Sequence, residues 1–336
     1  MKTILITGAT GHIGSNLCRH YIDCGYDVIG LKRRTSLIAT DRIDDLFKNR
    51  NFKLEYFDLT DSNSIWTTLI KYKPDFIANL GAQSHVRVSF DLTDSTVDVT
   101  AMGVLRLLDA CRAICPNVRF YQASSSEIYG DTPPPQDEES KISPMSPYAC
   151  AKAFGYHIVK NYRKAYGMFT SNGILFNTSG ITRGETFVSR KITMAAAKIK
   201  YGLQNCLYLG NLDSRRDWLD VSDSVLAIDK ILTFGNKADD FVIASGESHS
   251  VREFCELTFE YAGIGKIEWI GKGINETGIV NGKTLIKIDP KYFRPSEVSY
   301  LQGNPKKIKD LLGWERKVSF PGLVQKMVEY DLGCVR

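Results

Sequence analysis

The chain has 336 residues, 43% hydrophobic and 24% charged, the make-up of an ordinary globular protein with room for about two domains. Its 43 basic and 38 acidic residues leave a net charge of only +5, too small and too scattered to point to nucleic acid. No apolar run reaches the roughly 18 residues of a membrane span. The opening Lys2-Thr3-Ile4-Leu5-Ile6-Thr7-Gly8 meets glycine before a signal-peptide core can form, so a cytoplasmic protein is expected.

Thr3–Thr7 reads as a strand. Gly8-Ala9-Thr10-Gly11-His12-Ile13-Gly14 follows it and opens an amphipathic stretch, His12–Cys24. Glycines at this spacing between a strand and a helix allow positive φ in the turn. They let a pyrophosphate reach backbone N–H groups at a helix N-terminus. Gly8, Thr10, Gly11, His12, Ile13 and Gly14 are therefore expected to bind a dinucleotide. The next strand, Asp27–Leu31, runs into Lys32-Arg33-Arg34-Thr35-Ser36, where NAD-binding folds carry an acid for the ribose. Guanidinium groups there suit a 2′-phosphate instead, so the predicted cofactor is NADP, held by Arg33, Arg34, Thr35 and Ser36.

Strand Phe52–Tyr56 leads to Asp58-Leu59, with Asp58 suited to the adenine amino group. Helix Asp61–Lys71 and strand Phe76–Leu80 come next. Leu80-Gly81-Ala82, with Ser84 just beyond, should run beneath the cofactor. Helix Val97–Cys115 precedes strand Arg119–Ala123, which ends in Ser124-Ser125-Ser126-Glu127. Pro147–Tyr166 is a helix beginning with Tyr148-Ala149-Cys150-Ala151-Lys152, and Thr170–Leu175 a further strand. Tyr148 and Lys152 share a helix face, and an ammonium beside a phenol favours phenolate, so Tyr148 is a candidate base.

This alternation predicts an α/β fold: a Rossmann-type, doubly wound parallel sheet. Beyond about residue 177 the pattern turns irregular. We expect a cofactor domain over 1–176, with later segments returning to it. A smaller, mixed substrate domain would occupy 177–336. The eight cysteines form no Cys-x-x-Cys pair. They read as small thiols in a reducing compartment, with no metal site expected.

Together the glycine turn, the serine-rich strand end and the Tyr-x-x-x-Lys pair resemble the extended short-chain dehydrogenase/reductase superfamily. Gly184-Glu185-Thr186-Phe187-Val188, Leu207-Tyr208-Leu209-Gly210-Asn211 and Tyr292-Phe293-Arg294-Pro295 narrow the resemblance to the GDP-mannose 4,6-dehydratases, from Ile4 to about Leu332. That resemblance implies dehydration of a GDP-sugar through an internal NADP redox cycle. Tyr148, helped by Lys152, would take the O4 proton. Ser125, where most of the family has Thr, would hydrogen-bond O4. Glu127 would remove the C5 proton before water leaves from C6. Arg183 would contact the cofactor. Ser84, Asn177, Val188, Lys191, Arg216, Arg294 and Glu297 match substrate-side positions, with Arg216 and Arg294 on the diphosphate and Glu297 on the guanine edge. The Arg33–Ser36 loop would reach a neighbouring subunit, giving a homodimer or homotetramer.

Three stretches depart from the family pattern. His12-Ile13 stands where the family has Gln-Asp. Thr178-Ser179-Gly180-Ile181-Thr182 replaces a segment whose first residue is a cofactor-touching His. Ser95 replaces a Tyr. The sugar is thus GDP-mannose or a related GDP-sugar, and the alternative activity is an NADP-dependent epimerase or ketoreductase on another GDP-sugar. Those reactions need Tyr148 and Lys152 but no base at Glu127. A non-catalytic NADP-binding protein would commonly lose the Tyr or the Lys, and both are present.

Overall fold

The computed structural model describes residues 2–293 and 296–336. Its centre is a seven-stranded sheet. In spatial order the strands are Asp240–Ile243, Thr170–Leu175, Arg119–Ser125, Phe76–Asn79, Thr3–Thr7, Asp27–Lys32 and Phe52–Tyr56. Every neighbouring pair is parallel. The first six strands in sequence fall where apolar β-branched runs were read. Strands buried on both faces carry continuous rather than alternating apolar patterns, as in Thr3–Thr7, where Ile4, Leu5 and Ile6 are all buried. One face is covered by His12–Asp23 and Val221–Thr233, the other by Ser62–Tyr72, Gly103–Ile114 and Pro147–Tyr166. The Rossmann-type α/β expectation is met.

Two elements differ from their sequence reading. The helix expected over Val97–Cys115 is three pieces: Thr93–Val97, one π-helical turn at Asp98–Met102, and Gly103–Ile114. The widened turn carries Thr100, whose Oγ1 accepts the Gln83 N–H at 3.2 Å and fixes the loop after the fourth strand. The second half is also more regular than its punctuation suggested. It holds helices Val188–Lys200, Val221–Thr233, Val251–Tyr261 and Phe320–Val335. A four-stranded sheet adds Glu268–Ile270, Thr277–Val280, Lys283–Ile288 and Leu207–Leu209. Its strands are too short for a two-residue period to show in sequence.

The chain crosses between the two halves. Asp240–Ile243 extends the main sheet, while Ile308 and Trp314 pack into its core. A separate apolar core, built around Trp218, Phe254, Phe259 and Phe320, supports the C-terminal half. Among the described residues, no helix is long and apolar enough to cross a membrane.

Candidate active site

In a parallel sheet, chemistry gathers at the carboxyl ends of the strands where the strand order reverses. Here the reversal lies between Thr3–Thr7 and Phe76–Asn79, and a cleft of about 1250 Å³ opens above it. That exceeds the roughly 300–1,000 Å³ of a single-ligand pocket and suits two large ligands side by side.

The floor is the glycine turn. Gly8 has φ of 66°, and a Cβ on Gly14 would sit 2.1 Å from the Gly8 carbonyl oxygen. The helix that starts at His12 has no side-chain cap on its first amides, which leaves them for an anion. Among the described residues, His12 Nε2 and Arg183 Nε are buried near the turn without a hydrogen-bond partner. This donor set fits a dinucleotide pyrophosphate.

At the end of the second strand, Lys32 and Arg33 line the cleft. Lys32 Nζ is engaged by the Ile38 carbonyl. Arg34, Thr35 and Ser36 stand outside the cleft on an exposed loop, with Arg34 donating to the Thr35 carbonyl and lying over the Tyr56 ring. Of Arg33 and Arg34, from which a paired-guanidinium grip was expected, only Arg33 therefore lines the cleft within this chain. Asp58 lines the cleft while its Oδ1 accepts from Thr60 N at 2.9 Å.

The catalytic wall follows from local capping. Ser146 accepts from the Ala149 N–H at 3.1 Å, and Pro147 opens the helix. Tyr148 is thereby in the first turn and Lys152 one turn on. Ser125 ends its strand and accepts from the Glu127 N–H at 3.3 Å, which turns Glu127 into the cleft. Burial pushes the Tyr148 phenol up to about 12; the Ser125 hydroxyl opposes this, Glu127 adds to it, and Arg183 opposes it. Burial pushes Lys152 down to about 8. Against the sequence expectation, desolvation outweighs any pull of the ammonium on the phenol.

Sequence reasoning missed what holds Lys152. Thr7 Oγ1 donates to Asn79 Oδ1 at 2.6 Å, Asn79 Nδ2 to Gln122 Oε1 at 2.8 Å, and Gln122 Nε2 to the Ala123 carbonyl at 3.1 Å. That carbonyl also receives Lys152 Nζ at 2.7 Å. A buried polar row thus runs across three strands from the dinucleotide turn to the catalytic lysine. Only strand pairing brings its members together, so no local spacing announces it.

On the opposite wall Asn177 opens a short strand, Asn177–Ser179, paired with Trp218–Asp220. Asp217 anchors this wall by accepting N–H groups of Ser245, Gly246 and Gly303 at 2.7, 3.0 and 3.2 Å. Burial nonetheless pushes it up to about 6. Val188 begins its helix, and Lys191 Nζ lies 3.3 Å from the Tyr292 ring centroid, pushed down by burial. Arg216 and Glu297, read as separate contacts to diphosphate and guanine, are joined at 2.7 Å. Arg294 lies outside the described residues. Every other predicted site residue except Arg34, Thr35 and Ser36 lines this one cleft. Phe187, faced by the Arg183 guanidinium at 3.8 Å, joins it without having been singled out.

The sequence model of the family described as GDP-mannose 4,6 dehydratase matches residues 5–327. A GDP-mannose 4,6 dehydratase of Drosophila melanogaster is 47% identical over 346 aligned residues, covering 100% of this chain and 87% of the relative. The chain belongs to the GDP-mannose 4,6-dehydratase family. Solved structures share the fold. The dTDP-glucose 4,6-dehydratase of Bacillus anthracis, in complex with NAD, superposes with a TM-score of 0.82 at 21% identity, covering 98% of this chain and 96% of that one. RMD from Pseudomonas aeruginosa, complexed with NADPH, does so at 0.77 and 22%, covering 99% and 100%. For this member of the GDP-mannose 4,6-dehydratase family, two of the departing stretches meet in space: His12 Nδ1 lies 2.7 Å from Thr182 Oγ1.

Proposed function

We propose that the protein dehydrates GDP-D-mannose to GDP-4-dehydro-6-deoxy-D-mannose through a closed NADP cycle. The observation that carries this reading is that Glu127 shares one cleft wall with Ser125 and Tyr148, close enough to act on the phenol electrostatically. An epimerase or a ketoreductase needs the hydroxyls and the lysine but no second base.

Tyr148, once ionised, accepts the sugar O4 proton, with Ser125 hydrogen-bonded to the same oxygen; an oxidised nicotinamide bound beside it would bring the positive charge that offsets the burial holding the phenol up at about 12. Lys152, fixed on the Ala123 carbonyl, holds its side of the site rigid. The bound nicotinamide supplies the hydride acceptor at C4 and the donor at C6. Glu127 removes the C5 proton, acidified by the neighbouring ketone, and returns a proton to the departing C6 hydroxyl. Arg33 at the end of the second strand, with no acid there, supports NADP over NAD. Asn177, Lys191, Arg216 and Arg294 would hold the diphosphate end, and Glu297, sharing Arg216, the guanine edge. Leu37 and Ile38, 76% and 79% exposed beside Arg34–Ser36, support a homodimer or homotetramer built through that loop.

Incubation with GDP-mannose and catalytic NADP, followed by mass spectrometry, tests the reading. The expected product has lost one water, with no NADPH accumulating. Glu127→Gln should bind GDP-mannose yet lose roughly 10²–10⁴-fold in turnover. Net NADPH formation, or unchanged mass with inverted stereochemistry, would instead establish a reductase or an epimerase.

A further inference from the structure

Residues 178–183 cross the cleft beside the dinucleotide turn, and their main chain is held from both sides. Arg190, anchored on the buried Asp331 at 2.7 Å, donates to the carbonyls of Ile181 and Arg183. From the other side Arg42 donates from Nε to the Thr182 carbonyl at 2.8 Å and from its terminal nitrogen to the Thr10 carbonyl at 3.3 Å. Thr182 carries the only side chain of this segment that reaches the first helix among the hydrogen bonds of the described residues. Its Oγ1 lies 2.7 Å from His12 Nδ1 and accepts from Asn16 Nδ2 at 2.9 Å. One hydroxyl has a proton to give and two lone pairs to receive, so it serves both contacts at once. Burial, with Arg183 and Arg42 nearby, holds the His12 imidazole well below its usual range and keeps it neutral.

The next residue is Arg183. Its guanidinium sits over Phe187, 3.8 Å from the ring centroid, it lines the cleft, and its Nε has no hydrogen-bond partner among the described residues. A guanidinium held in this way needs an external acceptor.

We propose that Thr182 is a positioning residue for the cofactor: its hydroxyl clamps residues 178–183 to the first turn of the dinucleotide helix and so sets Arg183 over the bound dinucleotide. This rests on the NADP reading above. Because Asn16 acts on this segment through the Thr182 hydroxyl, the effects of the two residues are coupled rather than additive.

Isothermal titration of the ligand-free protein with NADP, and separately with GDP, tests this. Thr182→Val should weaken NADP roughly tenfold, leaving GDP affinity and the thermal midpoint unchanged. Thr182→Ser should restore NADP binding, and Asn16→Leu combined with Thr182→Val should lose little more than either alone. Unchanged NADP affinity in Thr182→Val, additive losses in the double variant, or a parallel fall in NADP affinity, GDP affinity and midpoint would overturn the proposal. Wild-type protein that takes up no NADP would overturn the cofactor reading, and this one with it.

Discussion

The two walls of the cleft are built by different means. On the sheet side the binding surface is mostly backbone: glycine amides, strand ends and the first turns of helices, with the catalytic lysine itself resting on a main-chain carbonyl. On the C-terminal side it is side chain against side chain over long sequence separations. In the cleft itself Arg216 meets Glu297; behind its lining Arg190 meets Asp331 and Arg252 meets Glu276. Backbone geometry tolerates few substitutions and is set by local sequence.

The sharpest way to break this contrast is at its catalytic centre. Tyr148→Phe should lower kcat by about 10²–10⁴-fold while NADP and GDP still bind. Retained turnover would show that the phenol is only part of the wall. Next in size, Asp331→Ala leaves the nearly buried Arg190 uncompensated and should cost about 3–5 kcal/mol. Urea unfolding should show the C-terminal half loosening first, with NADP binding weakened through the slackened hold on Ile181 and Arg183 but not lost. A single transition that takes NADP binding with it would show that the two walls are one cooperative unit.

Gln122→Leu cuts the polar row between Asn79 and the Ala123 carbonyl. Unsatisfied buried groups should cost about 1–3 kcal/mol, and turnover should fall further than stability alone explains. The mildest effect is in pH. Lys152 is pushed down to about 8, so the free enzyme loses that positive charge as pH rises through about 8. The profile of kcat/KM should therefore fall on the alkaline side of that value. In Lys152→Arg, whose guanidinium stays charged, the limb should move to higher pH, whatever the absolute rate.

The contrast also explains what could be read in advance. The strand Thr3–Thr7, the glycine turn and the helix Pro147–Tyr166 announce themselves because hydrophobic period and φ-permissive glycine are local properties. Tyr148 and Lys152 were legible for the same reason, being one helical turn apart. Glu127 was legible only through the resemblance, since a carboxylate after a strand has no local signature. The expectation that Lys152 lowers the Tyr148 phenol did not hold, because sequence spacing carries no information about desolvation. The row from Thr7 through Asn79 and Gln122 was invisible, its members being 72 and 43 residues apart.

By itself the sequence determined the doubly wound sheet, the dinucleotide turn and the family, because each rests on short-range patterns that a linear chain displays. Tertiary structure alone decided that Arg216 pairs with Glu297, that Lys152 hangs from Ala123, and that His12 meets Thr182 across 170 positions. Those contacts depend on which buried groups packing leaves facing one another, and on how strongly burial penalises charge there.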